Sequence, residues 1–226
     1  MQKKTQPTTL RASILASSEQ YSFSAELHSR YEQLRPAIQA RLREFAHVPP
    51  SQYFYELCFC LCTPQSKAEH AHAAVTQLQE RDFERVGFDP TPLLAHKAHY
   101  IRFHNTKARR LLAARQQWQQ IASVLASRAS SQEQRDWLAE HINGFGLKEA
   151  SHFLRNIGHK NLPILDRHTL KHLLRCGVFT ELPNVGTRAR YLEAAEGFMR
   201  FADHVGIPLD ELDLLFWAME AGLVLK

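Results

Sequence analysis

"NGFGLKEASHFLRNIG", residues 143–158, decides the fold. A polar, glycine-bearing turn sits between two segments that read as helices. The first begins where Ser130 and Glu133 have capping-box spacing and runs to about Ile142. The second starts near Leu147 and runs to about 157. The unit is a helix–hairpin–helix spanning about 132–157. Gly144 and Gly146 allow a tight turn and the close approach of another backbone. The exposed amides at the start of the second helix form an anion site suited to a DNA phosphate. Such a hairpin reads shape and charge, not base sequence.

Lys148 stands in the first turn of that second helix, at the positive end of the peptide dipole, where cations are disfavoured. Two readings follow. In one, it is an exposed lysine whose stem lies along the helix. In the other, the dipole and partial burial disfavour the ammonium form, and the neutral amine is a nucleophile able to form a Schiff base. Glu149 beside it is the ordinary choice for a first turn.

The rest of the chain points to an all-α protein. It has 226 residues, 44% hydrophobic, with only 9 glycines and a net charge of +5. That excludes global disorder and suits an anionic partner without requiring one. The start "MQKKTQPTTLRAS" lacks the apolar region of a signal peptide, and no run of about 18 apolar residues is present, so an intracellular, cytoplasmic protein is expected. "YFYELCFCLC" (53–62) is apolar all round and reads as a central buried helix. After it, Thr63 is expected to cap the next helix, with Pro64 in its first position. "FHNTKARRLLAARQQWQQIASVLAS" (103–127) reads as one long amphipathic helix. Gly177 is expected to stop the helix "RHTLKHLLRCG".

No metal site is expected. Cys58, Cys60 and Cys62 alternate around a helix and cannot converge, and Cys176 stands alone, so buried reduced thiols are the reading. His70 and His72 face apart. His168 and His172 share a face but have no third ligand nearby, and exposed histidines near DNA are expected. Lys107, Arg109, Arg110 and Arg115 form a basic cluster that is either a solvated helix face or a set of phosphate contacts. Asp166 lies 18 residues after Lys148 and precedes a helical pattern, so a cap explains it. An aspartate held there also stays ionised and could oppose positive charge on a sugar. Trp217 in an apolar stripe reads as core, and Gln65 reads as a first-turn glutamine.

The hairpin G-F-G-x-K with an aspartate 18 residues on resembles the helix–hairpin–helix DNA glycosylases of the endonuclease-III-type fold. "GFGLKEASHFLRNIG…LPILDRH", "FYELCFCLCTPQSKA", "IRFHNTKARRLLAAR" and "LDLLFWAMEAGLVLK" are similar to the type 2 8-oxoguanine DNA glycosylase/lyases, a branch without an iron–sulfur cluster, over roughly residues 25–226. Asn143 departs from the proline common in the wider superfamily and argues against a pyrimidine-specific member.

The resemblance implies a bifunctional glycosylase/AP lyase that flips and excises 8-oxoguanine from duplex DNA. It needs no cofactor or metal and acts as a monomer. Lys148 would be the nucleophile and Asp166 the catalytic aspartate. Trp217 and the C-terminal Lys226 would surround the flipped base. Gln65 would fill the gap left in the duplex, and Gly144 and Gly146 would contact the backbone. The implied layout is two helical subdomains with the cleft between them: 1–47 with 165–226, and 48–164. The rival expectations are a glycosylase of this fold for another damaged base and a non-catalytic helix–hairpin–helix DNA-binding module.

Overall fold

The structure is a computed structural model that describes residues 14–222 and 224. Twelve α-helices occur among them: α1 (Ala25–Ala46), α2 (Tyr53–Cys62), α3 (Ala68–Glu80), α4 (Phe83–Val86), α5 (Thr91–Leu94), α6 (His104–Gln116), α7 (Trp118–Leu125), α8 (Ser131–His141), α9 (Leu147–Asn156), α10 (Arg167–Arg175), α11 (Arg188–Val205) and α12 (Leu209–Ala221). Among the described residues β-structure is limited to the isolated bridge of Leu15 with Phe179. The all-α fold class is as expected.

Two hydrophobic clusters organise the chain. One is built from α2 to α9, with Phe54, Leu57, Phe59, Phe83, Leu111, Leu138, Phe145, Ala150 and Phe153 among its members. The other joins the N-terminal segment and α1 to α10–α12, through Tyr31, Ile38, Phe45, Leu170, Phe198, Phe201 and Phe216. The helix α2 is apolar all round because neighbours enclose it. It packs against α3, α6 and α9, and Phe54, Leu57, Cys58, Cys60 and Cys62 are fully buried. All four cysteines are free and buried. Burial pushes the Cys62 thiol up to about 12 and Cys176 to about 11.

Three local expectations are corrected. Thr63 does not cap a following helix. It is the C-cap of α2, and α3 starts only at Ala68 after an extended Lys67. The expected helix 103–127 is broken at Gln117 into α6 and α7. No proline or glycine causes the break, so tertiary packing does. Trp118 stands edge-on to Phe54 at 5.3 Å, and Ile121 is driven into the core. Finally, only one hairpin glycine is conformationally required. Gly144 has φ +100, but Gly146 has φ −112, which any residue adopts.

Candidate active site

The hairpin lies on the seam between the two clusters. Phe145 and Ala150 belong to the first, whereas Leu147 belongs to the second. Lys148, between them, is therefore fixed on both sides by buried apolar neighbours. Its own side chain is 29% exposed. The Ser130–Glu133 capping box starts α8 as expected, and Ile142 ends it. Arg110 packs over the turn: a Cβ on Gly144 would stand 2.6 Å from its Cδ.

Lys148 is ion-paired with its sequence neighbour, Nζ to Glu149 Oε1 at 2.9 Å. Adjacent side chains on a helix do not normally face each other. They meet here because Glu149 turns back toward the helix start, where its Oε2 accepts from the Gly146 N–H at 3.2 Å. The single carboxylate thus joins the hairpin backbone to the lysine amine.

Asp166 is the N-cap of α10, its Oδ1 accepting from the His168 and Thr169 amides at 2.8 Å each. Neither bond uses Oδ2. The strap that leads to it is pinned twice. The Asn161 N–H donates to Asp210 Oδ2 at 3.1 Å, and the Tyr191 hydroxyl donates to the Pro163 carbonyl at 2.7 Å. Lys148 and Asp166 both lie near enough to one buried carboxyl to affect its charge. Burial pushes Asp213 up to about 7; Arg155 and Lys148 pull it down, and Asp166 and Asp210 push it up. Arg155 Nη1 holds Asp213 Oδ2 at 3.1 Å.

Gln65 is exposed with φ +58, not in a helical first turn as the sequence suggested. Its loop is locked by Lys107, whose Nζ donates to the carbonyls of Cys62 and Pro64 at 2.6 Å each and to Ser66 Oγ at 3.1 Å. Lys107 is 2% exposed, and burial lowers its ammonium to about 8. Arg115 likewise donates to the Phe83, Glu84 and Arg85 carbonyls. Two members of the basic cluster are therefore internal props rather than phosphate contacts or a solvated face.

Trp217 is half-buried on α12 and belongs to neither apolar cluster, whereas its neighbour Phe216 is fully buried. Lys226 lies outside the described residues. His172 is buried, not exposed as expected, and stacks on Phe216 with centroids 4.9 Å apart. It and His168 share Glu220, at 3.1 and 3.0 Å. Among the described residues no three His, Cys, Asp or Glu side chains group as a metal site.

Sequence reasoning missed three of these elements, though each had a signal. Lys107 falls on the stripe of Leu111 and Ala114, the buried face of α6. Arg155 falls on the buried face of α9 with Leu147 and Ser151. Glu149 stands three residues after Gly146, the spacing at which a side chain reaches back to the helix start.

The family model described as 8-oxoguanine DNA glycosylase, Ogg-HhH, matches residues 38–207. The chain belongs to this family. A relative from Fusobacterium nucleatum, named 8-oxoguanine DNA glycosylase/AP lyase, is 35% identical over 211 residues, covering 89% of this chain and 96% of its own. One of the same name from Korarchaeum cryptofilum is 36% identical, covering 85% and 92%. The Methanocaldococcus jannaschii 8-oxoguanine glycosylase/lyase, solved in complex with a 15mer DNA containing 8-oxoguanine, has a TM-score of 0.78 at 29% identity, covering 89% of this chain and 100% of that one. The fold of the family is thus the fold seen here.

Proposed function

We propose that this family member is a bifunctional DNA glycosylase/AP lyase that excises 8-oxoguanine from duplex DNA, with Lys148 as nucleophile and Asp166 as the catalytic carboxylate. The observation that carries the residue assignment is the seam: an amine at the first turn of the hairpin helix, and a capping carboxylate with an uncommitted Oδ2, both acting on buried Asp213. Duplex DNA binds by its phosphates to the hairpin around Gly144 and Gly146 and is kinked, and the damaged nucleotide is flipped out. Gln65, presented on its locked left-handed turn, fills the gap. Trp217 and Lys226 contact the extruded base. The two apolar clusters, Leu147 apart, support a division into two subdomains, 1–47 with 165–226 and 48–164, and the base would be held between them.

The chemistry follows from those placements. The neutral Lys148 amine forms a bond to C1′ as the N-glycosidic bond breaks and the base leaves with the electron pair. Asp166 opposes the positive charge that develops on the sugar. The amine-bearing sugar opens to an imine on Nζ. Loss of a C2′ proton then expels the 3′ phosphate and nicks the strand. No described helix is long and apolar enough to cross a membrane, and we assign the enzyme to the cytoplasm with its DNA.

The test is borohydride trapping. A duplex with one 8-oxoguanine is incubated with the protein and reduced. A covalent band is expected with the wild type and absent with Lys148→Gln or undamaged duplex. An equal band with Lys148→Gln overturns the nucleophile assignment. Binding without a band from either form overturns the lyase assignment and leaves a monofunctional glycosylase for another lesion or a non-catalytic module, and trapping on a different damaged base alone overturns the lesion assignment.

A further inference from the structure

The Glu149 carboxylate spends one oxygen on the Gly146 amide and the other on the Lys148 amine. Both partners are groups that DNA needs. The Gly146 N–H is an exposed amide at the start of α9, where a phosphate oxygen would accept. The Lys148 amine must be free of a partner before it attacks, and the ion pair occupies it. Gly146 is open toward the outside: a Cβ placed there would meet only Glu149 Oε2, at 3.4 Å.

We propose that Glu149 is a latch on Lys148 that DNA itself opens. In the free enzyme the carboxylate caps the hairpin and holds the amine as an ion pair. A phosphate arriving at the hairpin competes for the Gly146 amide and repels the carboxylate, so Glu149 swings off both partners. The amine then gives its proton to water and is free to attack. The nucleophile is thereby unmasked only where a DNA backbone is seated. Glu149 is a positioning residue acting through Lys148. The inference rests on the assignment of Lys148 as nucleophile.

The other charges around the pair do not offer the same control. Lys107 on α6 and Asp213 on α12 both lie near enough to feel the charge of Lys148. Both are buried, and each is tied elsewhere, Lys107 to the α2 end and Asp213 to Arg155. Tyr191, from α11, feels Glu149 but its hydroxyl donates to Pro163. Among these groups only Glu149 touches both the amine and the hairpin amide.

The experiment compares wild type, Glu149→Gln and Glu149→Asp on a duplex with a preformed abasic site. The borohydride-trapping rate is read between about pH 5 and 9, and the duplex Kd is read in parallel. Glu149→Gln keeps an oxygen for Gly146 but has no charge to hold the amine. Its trapping should persist to lower pH than that of wild type, and its Kd should tighten by about 3-fold. An unchanged pH profile and Kd would reduce Glu149 to a helix cap. Complete loss of trapping with DNA still bound would make Glu149 an obligatory base, which also overturns the latch. If Glu149→Gln does not fold by circular dichroism, Glu149→Asp decides. Its carboxylate is one methylene short of spanning both partners, so trapping that extends to lower pH supports the latch and an unchanged profile overturns it. A trapped Lys148→Gln control would show that the nucleophile assignment, rather than the latch alone, has failed.

Discussion

Arg155 and Asp213 form an ion pair of 3.1 Å with side chains only 4% and 8% exposed, joining α9 to α12. Removing Arg155 leaves the buried Asp213 carboxyl without its counter-ion and forces it to keep its proton or to carry an unpaired charge. Arg155→Met is expected to destabilise the protein by about 3–5 kcal/mol at neutral pH. Its pH dependence has a definite sign. Burial raises Asp213 in the fold to about 7, above the unfolded value of about 3.9. Between those values the folded state holds a proton that the unfolded state has lost, so stability from this group is present at low pH and falls as pH rises to about 7. Without Arg155 the carboxyl is protonated to still higher pH. Denaturant melts should therefore show a steady deficit below pH 7 that grows as pH rises above about 7, where wild-type Asp213 is ionised and the variant's is still protonated.

Lys107 is the prop under Gln65. Lys107→Met leaves the Cys62 and Pro64 carbonyls without their amine donor. A loss of about 2–4 kcal/mol in urea unfolding is expected. If Gln65 is the proposed wedge, binding to lesion duplex should weaken more than binding to an abasic single strand, which has no gap to fill. Equal weakening on both would show that the loop does not enter the duplex.

The two hairpin glycines should respond differently. Gly144→Ala forces a positive φ on alanine and pushes Arg110 aside, at a cost of about 1–2 kcal/mol. Gly146→Ala meets no such strain, and its melting temperature should match wild type. Both should weaken duplex binding if the backbone approaches phosphate at both positions. A gel-shift series on the same duplex with thermal melts separates the two effects.

Asp166→Asn separates cap from catalysis. Asparagine caps a helix about as well as aspartate, so stability should change by no more than a few tenths of a kcal/mol. Base release should slow by about 10²-fold or more, because the opposing charge is gone. Single-turnover excision with parallel melts gives both numbers. An unchanged rate would leave Asp166 as a cap only.

Much of this arrangement was legible in one dimension. The capping box at Ser130 and Glu133, the turn at Gly144 and the cap at Asp166 are local, since each depends on residues within about one helical turn. The continuity of 103–127 was not legible. The break at Gln117 comes from Trp118 meeting Phe54, a contact between segments far apart in the chain. Likewise the basic cluster looked uniform, yet Lys107 is buried under the α2 turn and Arg109 is exposed.

By itself, the sequence determined the helical character of the chain, the hairpin and the family, because periodicity, caps and glycines act locally and motif spacing survives without coordinates. The tertiary structure alone decided which charges are tools and which are props. Charge is a property of a residue, but its partner and its exposure are set by what the fold packs against it. Glu149 reads as an ordinary first-turn acid until its two oxygens are seen on two different partners. Arg155 and Asp213, 58 residues apart, become one buried pair only when α9 and α12 meet.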